Sequence, residues 1–170
     1  MQWATRLYAV ASLASAALLA AMPWGLPGSH RMVGPLSVAA LIVAIVSFDA
    51  DAVPTWGVAA VGIVFDCLTL APLGFWTLIW LAALASGCAA AGLGGGRLLR
   101  LTAATAAVAG VAAFYWALLS LYQWRLAEWQ PIAWVALAIA VLLAPAMMLA
   151  NWLGHGRTSP ASLRLERSRP

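Results

Sequence analysis

Few side chains in this sequence offer acid, base or nucleophilic chemistry, and those few are scattered. The acids are Asp49, Asp51, Asp66, Glu128 and Glu166, the histidines His30 and His155, and the cysteines Cys67 and Cys88. His30 and His155 fall at the edges of different apolar segments, on opposite sides of the topology expected below, so they cannot share one site. No H-E-x-x-H stretch and no Gly-x-Ser-x-Gly elbow occurs. The cysteines lack metal spacing and read as small buried apolar side chains. Gly92-Leu93-Gly94-Gly95-Gly96-Arg97 has the glycines of a phosphate loop but neither its Lys-Ser/Thr pair nor a preceding strand, and reads as a flexible turn. Asp49 and Asp51 are two residues apart, so a helix would not put them on one face. They are expected to solvate a loop and cap the segment after Pro54. This inventory predicts no enzyme, no cofactor and no metal.

Asp66 is the exception. It is the only charged residue between Ala52 and Gly96. A carboxylate at the centre of a membrane helix costs roughly 2.5–3.5 kcal/mol on insertion scales, so it is rarely left facing lipid. On a helix, Ala59, Gly62, Asp66 and Thr69 share one small, polar face, with Ile63 and Phe65 pointing elsewhere. Small residues let membrane helices approach closely, and polar groups then bond across the contact. Asp66 lies about a dozen residues, or roughly 18 Å of rise, past Pro54, which puts it beyond the bilayer midplane toward the outer side. Three roles are open to it: a polar anchor between helices, a lining residue of a partner or ligand site, or a proton relay. Pro72-Leu73-Gly74, six residues on, marks a tight turn.

The elements that carry these residues follow from composition. The 170-residue chain is 65% hydrophobic and 8% charged, without a single lysine, whereas a soluble domain carries about a quarter charged residues. Six apolar segments near the ~20 residues of a bilayer span are expected at Leu7–Leu26, Met32–Phe48, Pro54–Leu70, Phe75–Leu93, Leu101–Gln123 and Pro131–Leu153. They are separated by Pro27-Gly28-Ser29, by Asp49 to Pro54, by Pro72 and Gly74, by Gly94 to Arg97, and by Arg125 to Pro131. The expected fold is therefore all-α: a polytopic membrane bundle over residues 1–153 with a basic, disordered tail over 154–170. The first segment exceeds a typical h-region and ends in Pro23-Trp24 without a small-residue cleavage site, so it reads as a span rather than a cleaved signal. The third and fourth segments share a short uncharged turn, which leaves a re-entrant hairpin as an alternative to two full crossings. Pro145 is expected to free the carbonyl of Val141 within the last segment.

With six spans, seven arginines (Arg6, Arg97, Arg100, Arg157, Arg164, Arg167, Arg169) share a side with both termini, and two (Arg31, Arg125) lie opposite. The positive-inside rule then puts both termini in the cytoplasm, and the net charge of +4 reads as topology rather than nucleic-acid binding. Of the ten tryptophans, Trp3, Trp24, Trp56, Trp76, Trp124, Trp129 and Trp152 fall near segment ends as an interfacial belt requires. Trp80, Trp116 and Trp134 lie deeper, as candidates for helix packing.

The stretch Gly62-Ile-Val-Phe-Asp66-Cys-Leu-Thr-Leu-Ala-Pro72-Leu-Gly74-Phe-Trp-Thr-Leu resembles the central motif of the rod shape-determining protein MreD family, which shows Gly-Leu-x-x-Asp-Leu-Leu, a short gap, then Pro-Leu-Gly. Length, six segments, a short arginine-bearing loop, Trp116 and Pro145 are similar to proteobacterial members, and Trp24-Gly-Leu-Pro27-Gly28 stands where those members carry Pro-Leu-Pro-Gly. Cys67 and Thr69 replace the usual Leu and Ser or Gly. Ser47-Phe48-Asp49-Ala50-Asp51 stands where many members have an aromatic-Trp and an Arg-Pro pair.

The resemblance implies a non-enzymatic inner-membrane subunit of the wall-elongation machinery. It would bind MreC and, indirectly, serve MreB and the elongation peptidoglycan synthases, among membrane lipids and without nucleic acid. Carried over by motif, Gly62, Asp66, Thr69, Pro72 and Gly74 are the expected partner- or pocket-lining set. The alternative is a substrate-binding subunit of a vitamin-type uptake transporter, of similar size and span number, for which Tyr122 and Gln123 would be among the few polar side chains at hand.

Overall fold

The computed structural model describes residues 2–22, 32–93 and 96–155, and within them every regular element is a helix. The order is α1 (Gln2–Ala21), α2 (Val33–Phe48), α3 (Thr55–Thr69), α4 (Phe75–Gly92), α5 (Arg97–Gln123) and α6 (Trp129–His155). Five of the six expected segments coincide with helices to within four residues at either end. The first is displaced: α1 spans residues 2–21 instead of 7–26. Met22 precedes Pro23, a position where the helical region is sterically disfavoured. At the other boundary that moves, α5 starts at Arg97, because Arg and Leu are good helix formers and the glycine run before them is not.

Side-chain contacts give the topology. Pro35 of α2 meets Trp80 of α4 through an indole N–H to carbonyl bond of 3.2 Å. Further along, Val43 and Val46 of α2 lie against Gly87 of α4, so the two helices run parallel. Phe75 at the start of α4 meets Tyr122 near the end of α5, with ring centroids 6.5 Å apart, so those two run antiparallel. The chain thus goes up and down, and one end of the molecule gathers the α3–α4 and α5–α6 turns.

The centre belongs to α2 and α4. α2 packs against α1, α4, α5 and α6, and α4 packs against α2, α3 and α5. The core between them is apolar and includes Ile42, Val43, Val46, Val58, Phe65, Ile79, Trp80 and Ala83, each at most 1% exposed. The outer walls are apolar too: Leu41, Ile45, Ile63, Val64, Leu68, Leu78, Trp134, Leu137 and Val141 are all exposed. Among the described residues, two helices, Phe75–Gly92 and Leu98–Gln123, are long and apolar enough to cross a membrane. α2 and α3, at 16 and 15 residues, are shorter.

The tryptophans divide differently from the expected belt. Trp80 is buried as expected, and Trp3, Trp56, Trp124 and Trp129 are exposed near helix ends. Trp76, assigned to the belt from its position, is instead buried, because it stacks on Tyr115 and meets Phe65 and Phe75 edge-on. Trp134, expected to pack between helices, is 71% exposed, since α6 turns its alanines toward α5 and leaves the indole outside. Trp24, His30, Pro27 and the tail after His155 lie outside the described residues, as do the side chains of Pro145, Trp152 and His155.

Candidate functional site

Asp66 sits one turn before the end of α3 and is fully buried. Its carboxylate faces the N-terminus of α4. Oδ1 accepts the backbone N–H of Trp76 at 2.8 Å. Oδ2 accepts the N–H of Gly74 at 2.9 Å, the hydroxyl of Thr77 at 2.9 Å and, more weakly, the N–H of Thr77 at 3.4 Å. Every contact is a donor to oxygen, which matches an acceptor-only carboxylate.

The arrangement solves two problems at once. A helix begins with backbone N–H groups that have no intrahelical partner, and leaving them buried and unpaired is costly. The N-cap of α4 is Gly74, which has no side chain to offer. Asp66 does the work of an N-cap aspartate from eight residues upstream, and Phe75 N–H is taken by the Pro72 carbonyl at 3.0 Å. The N–H groups of residues 74 to 77 are all satisfied. The other problem is the negative charge itself, which lies against the positive end of the α4 dipole.

The backbone of Asp66 also finishes α3. Its carbonyl accepts the N–H of Leu70 and, at 3.1 Å, that of Ala71. This is the wrap of a left-handed helix C-cap, with Leu70 at φ 53°. One residue therefore closes the end of one helix with its main chain and opens the next with its side chain. Gly74 lies at φ 92°, in the left-handed region, where only glycine sits without strain. Pro72 fixes the turn that Gly74 completes.

Gly62 explains how α3 and α4 come close enough. A Cβ added there would lie 2.8 Å from both Cα and Oγ1 of Thr77, so the bare backbone of α3 rests on the residue that bonds Asp66. An aromatic layer covers the site. Phe65 packs on Trp76 and Trp80 at centroid distances of 6.0 and 5.0 Å, and Trp76 stacks on Tyr115 of α5 at 5.4 Å.

The structure thus brings Gly62, Asp66 and Gly74 together in one unit, with Pro72 in its turn. Several expectations need correction. Thr69 does not join across the helix contact: it is exposed, and its hydroxyl bonds back to Phe65 carbonyl of its own helix at 2.8 Å. Phe65, expected to point elsewhere, is 1% exposed and faces inward beside Asp66. The buried residues of α3 are Gly57, Val58, Gly62, Phe65 and Asp66, a wider face than the small-residue stripe expected. The aromatic layer was missed altogether, although Trp76 and Trp80, four residues apart on one helix face, carry its signal. Asp49 and Asp51 do not cap α3 either. Asp49 Oδ1 accepts Asp51 N–H at 3.1 Å within their own loop, and Pro54 stands at the N-cap without a side-chain bond.

Two apolar grooves among the described residues do not have Asp66 in their lining. A groove of about 590 Å³ runs between α5 and α6, lined chiefly by alanine. A smaller one of about 210 Å³ lies between α1 and α3. No group of His, Cys, Asp or Glu among the described residues is placed to hold a metal. Cys67 and Cys88 are free thiols on exposed positions, where burial had been expected; each sits on an outward-turned face of its helix. Comparison with protein-family models, curated proteins and solved structures returned no match.

Proposed function

We propose that this chain is a non-enzymatic, multi-pass subunit of the bacterial inner membrane, acting in the wall-elongation machinery as MreD-type proteins do. In this reading it binds MreC and supports the link between MreB filaments and the synthases of the lateral wall. Its helices form a multi-pass bundle with both termini in the cytoplasm, as the arginine asymmetry requires. The observation that carries the reading is the Asp66–Gly74 unit. The residues that carry the family resemblance are the ones joined here by hydrogen bonds: a carboxylate, a proline turn and a left-handed glycine.

The site supports a scaffold better than a catalyst or a relay. All the hydrogen bonds of the Asp66 carboxylate go to the start of α4, which occupies it structurally. The 15 residues of α3 rise about 22 Å, short of the ~30 Å hydrocarbon core. The hairpin tip therefore lies recessed below the outer surface, where its backbone polar groups must be satisfied internally. Its apolar outer side chains, Leu70 and Leu73, suit that depth. A vitamin-type transporter subunit is the weaker reading, because the α5–α6 and α1–α3 grooves are lined almost wholly by apolar groups.

The test is a mild-detergent pull-down of the tagged protein from its native membrane, read by mass spectrometry. Recovery of MreC with MreB or elongation synthases is expected. Recovery of a transport ATPase module without MreC overturns the reading. If Asp66→Ala leaves partner recovery and protein level both unchanged, the role given to the cap fails.

A further inference from the structure

On the multi-pass reading above, we propose that the α3–α4 wall is built for a thinner bilayer than the α5–α6 wall, and that phospholipid chains of the outer leaflet close over its turn. The recessed tip then forms one side of a step in membrane thickness, with lipid as the partner that covers it.

Landmark residues mark the level of each hairpin. α3 follows exposed Asp49 and Asp51 and carries exposed Trp56 in its first turn, as a helix does where it leaves the interface. The turn between α5 and α6 carries exposed Arg125 and Glu128, with exposed Trp124 and Trp129 beside them, and so marks the opposite interface. The turn between α3 and α4 is Leu70-Ala71-Pro72-Leu73-Gly74, without a polar side chain or an aromatic ring. Leu70 and Leu73 are 93% and 77% exposed. Its backbone donors are turned inward. The N–H groups of Leu70 and Ala71 go to the Asp66 carbonyl, and that of Gly74 goes to the Asp66 carboxylate. Water makes no such demand on a turn, whereas hydrocarbon does.

Two separate measures give the height of the step. From its interfacial start α3 rises about 22 Å, about 8 Å short of a ~30 Å hydrocarbon core, and tilt only shortens its reach. Beside α5, the Phe75 ring at the start of α4 lies between those of Tyr115 and Tyr122, at centroid distances of 5.9 and 6.5 Å. From the level midway between the two tyrosines α5 runs on to Gln123, a further rise of about 7 Å. The lipid-facing wall leads directly to the low side of the step. α3 packs chiefly against α1 and α4, and Ile63, Val64 and Leu68 point outward below Leu70. An apolar wall shorter than the bilayer is met by lipid that thins beside it.

The experiment uses the full chain with Cys67 and Cys88, both exposed, replaced by serine. A nitroxide is attached at Leu73→Cys in one sample and at Leu126→Cys, also exposed, in another. Leu70→Cys serves in place of Leu73→Cys if that variant fails to fold. Both samples are reconstituted in dioleoyl phosphatidylcholine, and collision of the label with oxygen is compared with collision with a water-soluble nickel chelate. The Leu73→Cys label is expected to favour oxygen and the Leu126→Cys label the chelate. In the thinner dimyristoleoyl bilayer the Leu73→Cys label is expected to gain access to the chelate, with little change at Leu126→Cys. Equal access at the two positions in the thicker bilayer overturns the inference, as does a Leu73→Cys label that ignores bilayer thickness. A Leu73→Cys label shielded from both reagents also overturns it, because protein and not lipid then covers the turn. These outcomes leave the multi-pass reading standing. A chain that alkali washing strips from its native membrane overturns that reading as well.

Discussion

The two hairpins at the turn end of the molecule, α3–α4 and α5–α6, are closed in different ways. In α3–α4 a buried charge reaches across and takes the first backbone donors of the next helix. Backbone meets side chain directly at Gly62 and Thr77, and aromatic rings seal the contact. In α5–α6 the ties are neutral: one indole N–H and one hydroxyl, both to Ala127. Below them the helices part along facing alanines into the 590 Å³ groove. The difference teaches that apolar composition alone does not close a helix pair. Both hairpins are apolar, and the one that closes has a glycine at the point of approach and a polar group whose bonds exist only when the helices touch.

That contrast can be broken most sharply at Asp66. Asp66→Ala leaves three N–H groups, two of them buried, and a buried hydroxyl without their acceptor and is expected to cost about 3–5 kcal/mol, read as a lower denaturant midpoint in detergent by circular dichroism. Asp66→Asn keeps one acceptor oxygen but turns an amide donor toward other donors, and should fall between wild type and Ala. Gly62→Val comes next. Its side chain must displace the Thr77 backbone, 2.8 Å from the first added carbon, and overpacking of that kind costs about 1–3 kcal/mol. The same measurement checks it, with a cysteine pair across α3 and α4 reporting a wider separation.

The α5–α6 hairpin should respond more gently. Trp116→Phe removes the bond to Ala127 but keeps most of the ring, with an expected loss of about 0.5–1.5 kcal/mol in the unfolding midpoint. A loss as large as that of Asp66→Ala would erase the distinction drawn between the two hairpins. The smallest effect has the opposite sign. Leu70 is 93% exposed and left-handed at φ 53°, a conformation in which Asn is at home and Leu is not. Leu70→Gly, equally at home there and without a polar side chain to place at membrane depth, is expected to raise stability by up to about 1 kcal/mol, seen as a later thermal transition in detergent.

Much of this architecture is legible in the residues. Pro and Gly punctuate the apolar segments, so five helices stand where the segments predict them. The importance of Asp66, Pro72 and Gly74 is legible because an acid in an apolar stretch and a Pro-x-Gly turn are rare enough to carry meaning. Thr69 misleads because helical spacing puts it near the same face, but its hydroxyl finds a carbonyl of its own helix before it reaches α4. The outward Trp134 and the inward Trp76 mislead because distance from a segment end gives depth along the bundle and says nothing about direction around the helix.

What the sequence determines by itself is the length and order of the helices, their breaks, and the presence of one charge that must be compensated. What only the tertiary structure decides is how that charge is compensated. The partners of Asp66 are mainly backbone N–H groups of α4. Every residue but proline has such a group, so no letter in the sequence marks these donors. They become a site only when α4 begins within hydrogen-bond reach of α3, and that position depends on Gly62, on the left-handed Gly74 and on packing contributed by four helices.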